Sequence, residues 1–158
     1  MMNAIIERII YQEEALPIRL ELVRSLDDPQ LLWALMSHYN WDDGFAIPLE
    51  TVRHAQCDLG LALMLFWEFD EARIFYDNPE SLKREFYNET DNDYRTAFCQ
   101  TLIDGIRNGH YQPGSNKYDT GFYGEDLDLE NASRQRIRAI KTKKARERYE
   151  EAFLKPLL

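Results

Sequence analysis

The chain has 158 residues, 44% of them apolar and 13% aromatic, with a formal net charge of −9. That length and composition suit a single globular domain with a core of its own, not a disordered tail. They exclude a helical membrane span, because no apolar run approaches the about 18 residues a bilayer requires.

The charge is unevenly spread. Residues 1–133 hold 25 acids against 10 bases, and residues 134–158 hold 3 acids against 9 bases. The body is therefore at −15 and the tail at +6. An acidic body repels nucleic-acid phosphates and attracts a basic partner. The basic tail either binds phosphate or lies on the acidic body and neutralises it.

In chain order, Ile5, Ile6, Ile9, Ile10, Ala15 and Leu16 form a helical stripe over about residues 3–16. Pro17 is expected to interrupt it, with a short second helix to about Ser25. The start carries acids inside its apolar pattern, and no basic segment or small-residue cleavage site, so no secretory signal is expected. The expected compartment is the cytoplasm. Asp28-Pro29 is a cap followed by proline at the first helical position, opening a helix with Leu31, Leu32, Leu35 and Met36 on one face. Asn40 to Gly44 is turn chemistry. A short helix follows from Pro48 to about Ala55. Asp58 caps an apolar helix expected from Leu59 to about Glu71. The segment from Leu31 to Phe69 holds all three tryptophans, and Trp33, Leu35, Trp41, Leu63 and Phe66 are its expected core.

Asn78-Pro79 starts another helix, and Asp91 or Asn92 starts a further one ending at Asn108-Gly109. Residues 110–130 read as an irregular loop, and residues 132–155 as a basic C-terminal helix with Ile137, Ile140, Ala145, Tyr149, Phe153 and Leu154 as its apolar stripe. No strand alternation appears. The expected fold is all-α, one compact domain of about six or seven helices.

The segment YNWDDGFAIP (Tyr39 to Pro48), followed by CDLGLAL (Cys57 to Leu63), resembles the bacterial family known as domain of unknown function 4274. The core of the resemblance covers about residues 26–77. Families of this kind often lie beside contact-dependent or other polymorphic toxins. The resemblance thus implies an immunity role.

The chemistry-bearing residues are sparse. Asp42 and Asp43, with Glu50 or Asp58, are a candidate carboxylate cluster, set against simple turn and cap roles. His54 and Cys57 have ligand-like spacing, but a zinc site needs about four ligands and the other soft donors are scattered. Cys57 and Cys99 sit in apolar helical patterns and read as buried thiols. No phosphate-binding glycine loop and no hydrolase motif is present. No enzymatic activity, metal or cofactor is expected. The candidate partner-binding surface is the acidic, tyrosine-rich loop: Tyr118, Asp119, Phe122, Tyr123, Glu125, Asp126 and Asp128. Aromatics there supply anchors and acids steer a basic partner. The expected partner is a cognate toxin, a basic nuclease domain, with neither nucleic acid nor membrane bound. A helical adaptor, or a small RNA-binding protein using the basic helix, is the alternative.

Overall fold

In the computed structural model, which describes residues 2–80, 89–122 and 132–158, the chain is all-helical. The described elements are α1 (Ala4–Glu7), a π-helical turn (Arg8–Gln12), α2 (Leu16–Ser25), α3 (Pro29–His38), a 3-10 turn (Trp41–Asp43), α4 (Ala46–Val52), α5 (Leu59–Glu68), α6 (Asp70–Asp77), α7 (Glu89–Arg107), α8 (Ala132–Arg148) and α9 (Glu151–Leu154). Among the described residues the extended pairing is a single bridge, Tyr118 with Leu157.

α5 is apolar on every face, and its residues Gly60 to Phe66 are all buried. A helix without a polar face has to be enclosed by others. α7 packs along α4, α5, α6 and α9, and α3 closes over α5. Leu35, Leu63 and Phe66 are fully buried as expected. Trp33 and Trp41 are only partly buried and pack on the core from its edge.

The nine described α-helices exceed the expected six or seven because two long stretches are broken. The run from Leu59 to about Glu71 is two helices. Phe69 is extended between them and its ring stacks 4.4 Å from that of Trp41, so a core contact overrides helical continuity. The stretch at 132–155 breaks at Glu150, which is extended (φ −66°, ψ 153°). The turn swings Phe153 and Leu154 into the core.

At the N-terminus the helical run ends at Gln12, before Pro17. Pro17 lies in the first turn of α2 and helps to start that helix, since its missing N–H has no partner to lose there. The π turn leaves the Ile9 carbonyl to accept from Arg19 Nε at 2.8 Å. The helix expected after Asn78-Pro79 falls mostly on residues outside the described ones. Before them, in a turn, Asn78 Oδ1 accepts from Glu80 N at 3.2 Å.

α8 is docked by one end. Ala145 and Tyr149 are buried, and Arg148 Nε donates to Asp77 Oδ1 at 2.9 Å. Toward its start, Arg136, Ile137, Ile140, Lys141, Lys143 and Lys144 are exposed. The expected apolar stripe is therefore buried only in its C-terminal half.

Candidate partner-binding surface

Two regions carry the candidate residues: the strap from His110 to Phe122, and the turn from Tyr39 to Phe45.

Asp58 sets the strap. Its Oδ1 accepts from Leu61 N at 3.1 Å, capping α5, and from Asn116 Nδ2 at 3.0 Å. Its Oδ2 accepts from Asn116 N at 3.0 Å. Asn116 Nδ2 also donates to the Pro29 carbonyl at 2.9 Å. Both residues are buried, at 6% and 7% exposure, so each polar atom needs these partners. Gly60 lets the strap come this close: a Cβ on it would lie 2.1 Å from the Asn116 carbonyl oxygen. Upstream, Leu59 N donates to the Gln112 carbonyl and Tyr111 OH to the Val52 carbonyl, both at 2.8 Å. Downstream, Tyr118 pairs with Leu157 through two backbone bonds of 2.8 Å, and Thr120 Oγ1 donates to the Leu154 carbonyl.

The loop aromatics turn toward the body. Tyr118 is half-buried and its OH donates to Glu68 Oε1 at 2.7 Å. Burial, with the Glu68 carboxylate next to it, pushes its phenol above the ordinary tyrosine value. Phe122 is half-buried with its ring 5.0 Å from that of Trp67. Asp119 is exposed, and its Oδ1 accepts from Gly121 N at 2.9 Å. Tyr123, Glu125, Asp126 and Asp128 lie outside the described residues.

In the turn, Asn40 Oδ1 accepts from Asp42 N at 3.1 Å, and Gly44 (φ +95°) ends the 3-10 segment. That φ suits glycine, and a Cβ there would lie 2.6 Å from Asp91 Oδ1. Asp91 reaches across from α7 and accepts from Phe45 N at 2.9 Å. Tyr39 OH donates to the Gly44 carbonyl at 2.6 Å, and burial raises its phenol well above the ordinary value. Trp41 packs against Tyr39, Phe45, Phe69 and Phe98.

Between this turn, α2 and α7 lies an open pocket of about 390 Å³. Tyr39, Asp43, Asp91 and Tyr94 line it with Arg19, over an apolar base of Leu16, Ala46 and Ile47. Arg19 reaches Asp43 at 3.5 Å.

The carboxylates considered together in the sequence do not converge. Glu50 is paired with Arg24, Asp58 is consumed by the strap, and Asp43 pairs with Arg19 in the pocket that Asp91 also lines. Asp91 stands 46 residues from its turn partner, so no local spacing announced it. The cysteines are buried. Burial pushes the Cys57 thiol far up and the Cys99 thiol up to about 12, so neither is a thiolate at neutral pH. His54 Nδ1 accepts from Gln56 N at 3.0 Å, a local turn contact. Among the described residues no group of three or more His, Cys, Asp and Glu is arranged to hold a metal ion, and no helix is long and apolar enough to cross a membrane.

No curated protein and no solved structure matches the chain significantly. Residues 27–99, from the cap of α3 into the middle of α7, match the family model described as a domain of unknown function (DUF4274), which supports placing this segment in that family.

Proposed function

We propose that the chain is a non-enzymatic immunity protein that binds and neutralises a basic toxin domain, a nuclease of the contact-dependent growth inhibition type. The observation that carries this reading is the separation of charge. Residues 1–133 stand at −15 and residues 134–158 at +6, and among the described residues Arg136, Lys141, Lys143 and Lys144 of α8 are exposed, while its last turn docks through Arg148 on Asp77. The body is thus left to attract a cation-rich partner, and a nuclease is cation-rich because it holds phosphates.

The strap supplies a firm platform for such a contact. Its fixed backbone presents Asp119, and the sequence beyond it adds Glu125, Asp126 and Asp128. A preorganised loop loses less conformational entropy on binding than a loose one. Covering the partner's phosphate cleft blocks catalysis with no chemistry on this side.

The test is co-purification with the C-terminal domain of a neighbouring toxin, followed by a nuclease assay. A one-to-one complex with abolished cleavage is expected. Replacing Asp119, Glu125, Asp126 and Asp128 by their amides should slow association about ten-fold at low salt, with a shallower salt dependence. A toxin that stays active in a saturated mixture overturns the reading.

A further inference from the structure

Among the described residues, α8 carries two exposed isoleucines, Ile137 and Ile140, away from its docked side. Ala145 and Tyr149 define its docked side. At 100° per residue, Ile140 lies roughly 160° round the helix from that side and Ile137 roughly 100°. Both are more than half exposed, at 55% and 54%. Lys141 and Lys144 flank them and are exposed as well. Two exposed isoleucines set among lysines suit a partner with an apolar recess and an acidic rim.

The pocket beside the Tyr39–Phe45 turn has both. Its base is Leu16, Ala46 and Ile47, and its volume of about 390 Å³ accommodates an aliphatic side chain with room to spare. Asp43 and Asp91 line it together with Arg19, which pairs with Asp43, and Asp42, Glu89 and Asp93 stand exposed on the same two elements. The Phe45–Asp91 hydrogen bond holds those elements together, so the acidic rim is built into the fold. Among the described residues, no α8 side chain lines the pocket within the chain.

We propose that the chain self-associates, with the Ile137–Ile140 face of α8 of one copy seated in the Asp43–Asp91 pocket of a second. Charge complementarity selects a second copy as the occupant. α8 holds Arg136, Lys141, Lys143 and Lys144 exposed, and Asp42, Glu89 and Asp93 stand exposed beside the pocket, so the two surfaces are complementary in sign. A second copy presents the acidic surface to α8 and, in return, its own basic helix to the first copy's pocket. A two-fold arrangement makes the contact twice, which is the economy of an isologous dimer. This inference stands independently of the toxin reading.

The test is sedimentation and light scattering of the full chain over a concentration series at low and high salt. Two surface variants accompany it, K141E/K144E on the helix side and D42K/D93K on the pocket side, with helicity checked by circular dichroism. A dimer is expected at low salt, weakened about ten-fold or more at high salt and by either variant. Mixing the two variants should restore association above that of either alone. The first variant retains a sound pocket and the second a sound helix, so one of the two contacts can form. A monomer at low salt overturns the proposal, and so does a dimer indifferent to the variants, or a mixture no tighter than its components. A monomer that binds an RNA homopolymer through Lys141 and Lys144 would assign α8 to nucleic acid instead.

Discussion

Asp58 and Gly60 show how much a two-residue interval can carry. The carboxylate caps α5 and receives three hydrogen bonds in all, two of them from Asn116. The glycine lets the Asn116 carbonyl rest against the helix. Gly60→Ala would gain helix propensity worth about 1 kcal/mol, but it forces backbone against a methyl group. A net loss of about 1–3 kcal/mol is expected from urea denaturation, because the opposing atom is main chain and cannot rotate away. The sequence made Asp58 legible as a cap. It did not name the approaching element, since Asn116 lies 58 residues from Asp58 and sits in a stretch whose composition says only that it is irregular. The thiols give a second residue-scale outcome. Cys57 and Cys99 are buried and held protonated, so an aromatic disulfide reagent should leave both untouched in native protein and modify both after denaturation. Rapid reaction of either in native protein would contradict the packing.

At the scale of elements, the joint between α6 and α7 is an ion pair of unequal exposure. Arg95 is 1% exposed, and its Nε and Nη2 both reach Glu71 Oε2, at 2.7 and 2.6 Å. Glu71 keeps about a quarter of its side chain in solvent, which discounts the penalty of losing its partner. Arg95→Ala is expected to cost about 2–4 kcal/mol, most of it from the cavity and the lost packing of the long side chain. Arg95→Met, which keeps most of the volume, should recover more than half of that in the same denaturation assay. Helix starts were the most legible elements, because Asp28-Pro29 and Asp58 act through neighbours two or three residues away. Helix ends were the least. α5 stops at Glu68 because Phe69 is wanted against Trp41, and the C-terminal helix breaks at Glu150 to place Phe153. Tertiary packing makes those decisions, and no property of residues 69 or 150 signals them alone. For the candidate site the same holds: the acids and aromatics were visible, but which of them meet depended on the fold.

Over the whole molecule, alkaline pH is the expected weak point. Burial raises the phenols of Tyr39, Tyr111 and Tyr118 from an ordinary value of 10.0, and the thiols of Cys57 and Cys99 from 9.0. A group that loses its proton less readily when folded adds its full share of stability below its unfolded value. That share shrinks as pH rises from the unfolded value toward the folded one. Stability to urea should therefore fall above about pH 9–10, together with a late, cooperative rise in phenolate absorbance. Phenolate absorbance that climbs smoothly near pH 10 with no loss of helix would show these rings to be in water.

The strap also bears on what counts as a unit of inheritance in this chain. The family match ends at residue 99, yet Asp58 within it is answered by Asn116 beyond it. Excised at the limits of the match, the segment would carry a carboxyl group at the head of its most apolar helix with one bond left to the segment, and a groove over Gly60 open to any passing backbone. Its borders in sequence are then not its borders as a folding object. A fragment of residues 27–99 should aggregate or remain partly unfolded where the full chain is monodisperse, and residues 110–118 supplied as a separate peptide should be taken up at the vacant groove.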